Sequence, residues 1–149
     1  MKILFINGSP NKNGNTAALA SKLLSEKSYE TLNLTDYTIG SYGQALPGDE
    51  LDSVIEKIKE AEIIVIGSPL YWHNICGSVR NVLDRFYGKV ENGSLSGRRL
   101  YFVFQGAAPE RWMIEAGEFT VKRFASLYGM SYGGMATNSA QAEKLSKTI

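Results

Sequence analysis

The sequence predicts a doubly wound α/β domain, a five-stranded parallel sheet in the order 2-1-3-4-5 with helices on both faces, giving three α/β/α layers. Three observations predict it. Short apolar runs alternate with stretches of helical periodicity along the chain, which implies βαβ units joined by right-handed crossovers. The runs at 2–6 and 63–66 are continuously apolar, as in strands covered by helices on both sides. A chain of 149 residues, 44% hydrophobic and 21% charged, has material for one core and therefore one domain, 1–149.

The elements follow in order. Residues 2–6 (KILFI) form the first strand and end in a polar, glycine-containing loop, 7–15. From Thr16 the chain reads TAALASKLLSE, with Leu19, Leu23 and Leu24 at helical spacing and no Gly or Pro inside, which predicts the first helix. Residues 29–34 alternate weakly, as an edge strand does, and 35–48 are a Gly- and Tyr-rich loop. Asp49 can cap a second helix whose Leu51, Val54, Ile55 and Ile58 fall at i, i+3, i+4 and i+7. The third strand is 63–66 (IIVI), closed by Gly67, Ser68 and Pro69, with a loop running to Gly77. A third helix carries Val79, Val82, Leu83 and Phe86 on one stripe, with Arg80 and Asp84 spaced to pair on the other. The fourth strand is 99–105 (RLYFVFQ), interrupted at 106–109. A helix over 111–128 stops at Gly129. A short glycine-rich last strand, 130–137, and one or two helical turns over 140–147 complete the chain.

Charge and cysteine content exclude several function classes. The 16 Lys and Arg against 15 Asp and Glu leave +1, too balanced for a protein that tracks nucleic-acid phosphates. No apolar run approaches a membrane span, and the first strand turns polar at Asn7, too soon for a secretory leader. Cys76 is the one cysteine, so the chain holds no internal disulfide, no cysteine-rich zinc site and no all-cysteine iron–sulfur cluster. The expected location is the cytoplasm, without nucleic-acid or membrane partners.

A sheet of this order binds its ligand beyond the carboxyl ends of strands one and three, which directs attention to the loops after Ile6, Ile66 and Phe104. Residues 8–16 (GSPNKNGNT) resemble a phosphate cradle at a strand–helix junction. Ser9, Asn11, Asn13, Asn15 and Thr16 offer donors, and Gly8 and Gly14 allow close backbone approach. A nucleotide-triphosphatase loop is the wrong reading, because five residues separate the glycines and Asn15 follows Gly14. The competing structural reading is that Asn15 or Thr16 merely caps the first helix. After the third strand, Pro69, Leu70, Tyr71 and Trp72 place large aromatics in a loop, where a flat ligand, a satellite core or a subunit interface would cover them. Cradle and shelf together match the two ends of a flavin mononucleotide lying across the switch point. Gln105, Gly106 and Ala107 form a third wall toward the pyrimidine edge of such a ring, with Arg111 and Trp112 just beyond. His73 is either a hydrogen-bonding neighbour of the ring or an exposed loop residue. Cys76 is read as a packing residue.

The segments GSPNKNGNT and SPLYWHNICGSVRNVLDRF resemble the NAD(P)H-dependent FMN reductase and flavodoxin-like oxidoreductase family, and the resemblance extends over essentially the whole chain. It implies a flavodoxin-like fold, bound FMN, NADPH or NADH as electron donor, hydride transfer to a flavin, quinone or nitroaromatic acceptor, and a homodimer. It assigns Ser9, Asn11, Asn15 and Thr16 to the phosphate and Pro69, Leu70, Tyr71 and Trp72 to the ring. Asp84 and Arg85 match a recurrent pair, read here as making an intrahelical or helix-to-loop salt bridge. Two departures stand out. Many relatives carry Arg where this chain has Asn11, which leaves neutralisation of the phosphate to Lys12 and backbone dipoles. Iron–sulfur members carry cysteines between the second strand and second helix, whereas 37–48 has none, which excludes that branch. The rival from another class is a flavodoxin-type electron carrier, which docks through an acidic face that a near-neutral chain does not offer. A relative that keeps the fold without the flavin is the third reading.

Overall fold

The computed structural model describes residues 1–149. In chain order it contains β1 (Ile3–Asn7), α1 (Asn15–Leu23), β2 (Glu30–Asn33), α2 (Leu51–Glu60), β3 (Ile63–Tyr71), β4 (Asn74–Ile75), α3 (Gly77–Arg85), β5 (Arg99–Gln105), α4 (Arg111–Tyr128), β6 (Ser131–Ala136) and α5 (Ser139–Ser146). Five strands pair in parallel in the order β2-β1-β3-β5-β6, the sheet expected from the sequence. The short β4 is an addition. It runs antiparallel to the end of β3, with Leu70 opposite Ile75 and Tyr71 opposite Asn74.

Alternation along the central strands divides the core in two. Leu4, Ile6, Ile64, Ile66, Leu100, Phe102 and Phe104 point to one face, where α2, α3 and α4 bury Val54, Ile58, Val79, Val82, Val121 and Ala125 against them. Ile3, Phe5, Ile63, Val65, Tyr101 and Val103 point to the other, under Leu19, Leu23 and Ala142 of α1 and α5. Every residue of β1 is buried, so its sequence is an unbroken apolar run until Asn7.

The chief departure from expectation is β3, which continues through Gly67, Ser68, Pro69 and Leu70 to Tyr71 instead of closing at Gly67. Pro69 is compatible with a central strand here for a local reason. Gly67 turns its carbonyl to β1, where Gly8 N–H donates to it at 2.8 Å, and Pro69 faces the same side two residues on. Pairing with β1 ends at Asn7–Gly67, so the donor that proline lacks has no strand opposite it. Agreement is closer elsewhere. α4 ends at Gly129, whose φ of 84° is the left-handed stop that glycine favours. Asp84 pairs with Arg80 within α3 at 3.1 Å, and Arg85 reaches Asp49 in the loop before α2 at 2.7 Å.

Candidate functional site

The loop between β1 and α1 is folded by its own side chains. Asn7 is fully buried, and its Oδ1 accepts from Ser9 N–H at 3.1 Å while its Nδ2 donates to Asn33 at 3.0 Å. Ser9 Oγ accepts from Asn11 N–H and Asn11 Oδ1 from Asn13 N–H, each at 3.1 Å. Ser9, Asn11 and Asn13 therefore shape the loop through their side chains. Gly8 is held from behind, its carbonyl accepting from Ser78 Oγ at 2.8 Å and from Cys76 Sγ at 3.4 Å. A Cβ on Gly8 would lie 2.4 Å from Val79, so no other residue fits without displacement. Cys76 is buried in this contact, the packing role expected of it.

Neither Asn15 nor Thr16 caps α1. The cap position is Gly14, and no side chain accepts a bond there. The first-turn amides of Asn15, Thr16 and Ala17 consequently have neither side-chain nor intrahelical partners, and no acidic residue stands in that turn. Three free donors and the positive helix end make an anion cradle. Thr16 is 1% exposed. Its Oγ1 accepts from Gln105 Nε2 at 3.1 Å, which leaves the hydroxyl proton to be given. Lys12 does not stand in the cradle. Its ammonium pairs with Asp36, so the phosphate counter-charge expected from it is engaged elsewhere.

On the neighbouring strand, Pro69 is buried, Leu70 half-buried, and Tyr71 and Trp72 project into solvent. The aromatics sit on a hairpin, not the open loop the sequence suggested. Its tip is Trp72 and His73, at φ of 46° and 68°, a pair of left-handed residues in the position that Asn-Gly usually fills. Holding two bulky residues there costs of order 1–3 kcal/mol each, and such strain concentrates where a ligand is gripped. Trp72 is 93% exposed. His73 bridges to Trp112 at the start of α4, with ring centroids 5.3 Å apart, so the hairpin leans on the third loop.

That third loop begins at Gln105, with Gly106 half-buried against Leu70 and Ala107 exposed. Gln105 turns its amide to Thr16, tying this wall to the cradle instead of presenting that amide to a ring edge. All twelve residues singled out by the sequence thus lie on the loops after β1 and β5, the end of β3 with its hairpin tip, the end of β5 and the first turn of α1. Asn7, Asn33 and Ser68 were missed. Ser68 Oγ accepts from Cys76 N–H at 2.9 Å and fixes the hairpin base, and the sequence signal for it and Asn7 was a polar residue ending an apolar run. Grooves of about 510 and 570 Å³ lie elsewhere, along the α3–α4 side. The candidate site is marked by its donors and by its place at the ends of β1, β3 and β5.

The sequence pattern of the NADPH-dependent FMN reductase family matches residues 1–142. The chain belongs to that family. An iron-sulfur flavoprotein of Archaeoglobus fulgidus is 39% identical over 98 residues, 57% of this chain and 48% of that protein. The chain spans about half the length of the curated relatives it matches, and its 149 residues hold a single cysteine. Among solved structures, the Trp repressor binding protein of Bacillus subtilis superposes with a TM-score of 0.79 at 22% identity, covering 96% of this chain and 98% of that one. An FMN-dependent NADH-azoreductase from Bacillus anthracis, in complex with FMN, gives 0.69 at 17% identity over 99% of this chain and 95% of that one. At such identities these likenesses bear on the flavodoxin-like fold.

Proposed function

We propose that this chain binds FMN across the ends of β1 and β3 and uses it to pass hydride from NADPH or NADH to a small acceptor, a flavin, quinone or nitroaromatic. The observation that carries this reading is the pairing, on adjacent central strands, of a set of first-turn amides that have no protein acceptor with an exposed aromatic hairpin tip. The residues fit the cofactor at both ends. The amides of Asn15, Thr16 and Ala17 and the Thr16 hydroxyl supply donors for a phosphate dianion. Tyr71 and Trp72 supply apolar surface for the ring, and Gly106 and Ala107 leave its far edge open to backbone groups. When bound, FMN supplies the hydride chemistry. The chain's own part is to hold the phosphate, orient the ring against the hairpin and leave one face accessible. No proton-shuttling triad is required. His73 is engaged with Trp112 and acts as a prop for the hairpin.

Membership in a reductase family and the +1 charge favour an enzyme over an electron carrier that docks through an acidic face. The proposed setting is the cytoplasm, as a homodimer. No helix is long and apolar enough to cross a membrane. The test is NADH and NADPH oxidation by FMN-loaded protein with flavin, quinone and nitroaromatic acceptors side by side. Acceptor-dependent oxidation with at least one pair is the expected result. Flavin-loaded protein that oxidises neither nucleotide contradicts the enzyme reading and returns the carrier.

A further inference from the structure

The start of α3 is hydrogen-bonded to both halves of the proposed site. The helix has Cys76 at its N-cap and no side-chain cap bond. Half-buried Ser78, in the first turn, sends its hydroxyl away from its own helix to the Gly8 carbonyl, 2.8 Å away and 70 residues earlier in the chain. Cys76 Sγ lies 3.4 Å from the same oxygen and 3.3 Å from the Ser78 hydroxyl. On its other side this turn holds the hairpin. Cys76 N–H donates to Ser68 Oγ at 2.9 Å, and the Ser68 hydroxyl donates to the Pro69 carbonyl at 2.7 Å. The helix itself does not call for a hydroxyl at 78, since alanine is the better helix former.

We infer that Ser78 is a positioning residue that sets the span between the phosphate cradle and the ring hairpin, acting through Gly8; the inference rests on the flavin site proposed above. The peptide it holds is the one by which the cradle loop leaves β1. The Gly8–Ser9 peptide is pinned at one end by Ser9 N–H donating to Asn7 Oδ1 at 3.1 Å and at the other by Ser78 on the Gly8 carbonyl. Gly8 has no room for a side chain against Val79, and a glycine left without that second bond has wide freedom to turn the peptide plane. Gly8 N–H donates to Gly67 at 2.8 Å, so the β1–β3 junction survives loss of the hydroxyl while the direction of the loop does not. FMN carries its phosphate and its ring on one chain and is held by both ends at once, so its affinity depends on the span between them. Riboflavin uses the ring end alone and inorganic phosphate the cradle alone. A residue that sets the span acts on the bridging ligand only, whereas a residue that merely supports one loop acts on the half-ligand that loop holds.

The test is titration of the full chain, freed of flavin, with FMN, riboflavin and inorganic phosphate, the flavins followed by fluorescence quenching and phosphate by its competition with FMN. Ser78→Ala is expected to weaken FMN roughly three- to tenfold, the loss that goes with one neutral hydrogen bond, and to change riboflavin and phosphate by less than about twofold each. Ser78→Thr, which keeps the hydroxyl, is expected to stay within about twofold of wild type for all three ligands. An FMN affinity that Ser78→Ala leaves unchanged, or a Ser78→Thr protein as weak as Ser78→Ala, overturns the inference while the flavin site stands. Equal losses for FMN and for one half-ligand reduce Ser78 to local support of one loop and overturn it as well. A wild-type chain that binds neither flavin overturns the flavin reading itself, and the inference with it.

Discussion

Thr16 illustrates how one buried hydroxyl can be assigned. Its oxygen accepts from Gln105 at 3.1 Å, its methyl packs beside Gly67, and its proton is directed by elimination toward the cradle. Thr16→Val keeps the shape and removes the donor. A bond to a charged acceptor contributes about 1.5–3 kcal/mol, so FMN affinity is expected to fall roughly tenfold to a hundredfold, with riboflavin changed less than about twofold. Equal losses for both ligands in parallel titrations contradict a phosphate role. Gln105→Leu is expected to have a smaller effect of the same selectivity, severalfold on FMN alone, since it frees the hydroxyl to turn. At this scale the sequence was partly legible. Ser9, Asn11 and Thr16 announced a polar loop at a strand–helix junction, but that Ser9 and Asn11 shape the turn, and that Gln105 points at Thr16 from 89 residues away, are tertiary facts with no local pattern.

Among the elements, the β3–β4 hairpin was the hardest to read. Gly67, Ser68 and Pro69 look like strand breakers, and Trp72-His73 lacks the Asn-Gly signature of a tight hairpin, so the segment passed for a loop. Long periodic segments such as α2 and α4 were legible because burial of one face fixes both phase and length. The strain in the hairpin tip predicts a trade-off. Trp72→Asn combined with His73→Gly is expected to stabilise the apoprotein by about 1 kcal/mol in urea unfolding and to weaken flavin binding severalfold. A less stable double variant contradicts the strain. The loop before α2 is latched by Asp49, whose carboxyl is held well below the usual carboxylate range, first by the Arg85 hydrogen bond and then by Gly40 N–H. A carboxyl with a depressed folded pKa contributes stability above its unfolded value of about 3.9 and loses it as pH falls through the folded one. Asp49→Asn should therefore be less stable at pH 7 and show a flatter decline below about pH 4. An unchanged acid profile removes Asp49 from the latch.

For the whole molecule, the proposed placement of the ring has a kinetic consequence. In the proposed site one ring face would pack on the hairpin and the other would stay accessible, so nucleotide and acceptor would use it in turn. Steady-state turnover is expected to give parallel double-reciprocal lines, and intersecting lines contradict a shared face. The fold and the neighbourhood of the cleft followed from the alternation of apolar runs and helices. The exposed stripe on α4 did not, because it is recognisable only once the opposite stripe is known to be buried. The most direct test is titration of the apoprotein with FMN and with riboflavin, followed by quenching of flavin fluorescence. With three free amides and a hydroxyl at the phosphate and aromatics at the ring, one FMN per chain is expected to bind at least about a hundredfold more tightly than riboflavin. Absence of binding, or riboflavin held as tightly as FMN, contradicts the cradle at the start of α1 and with it the assigned site.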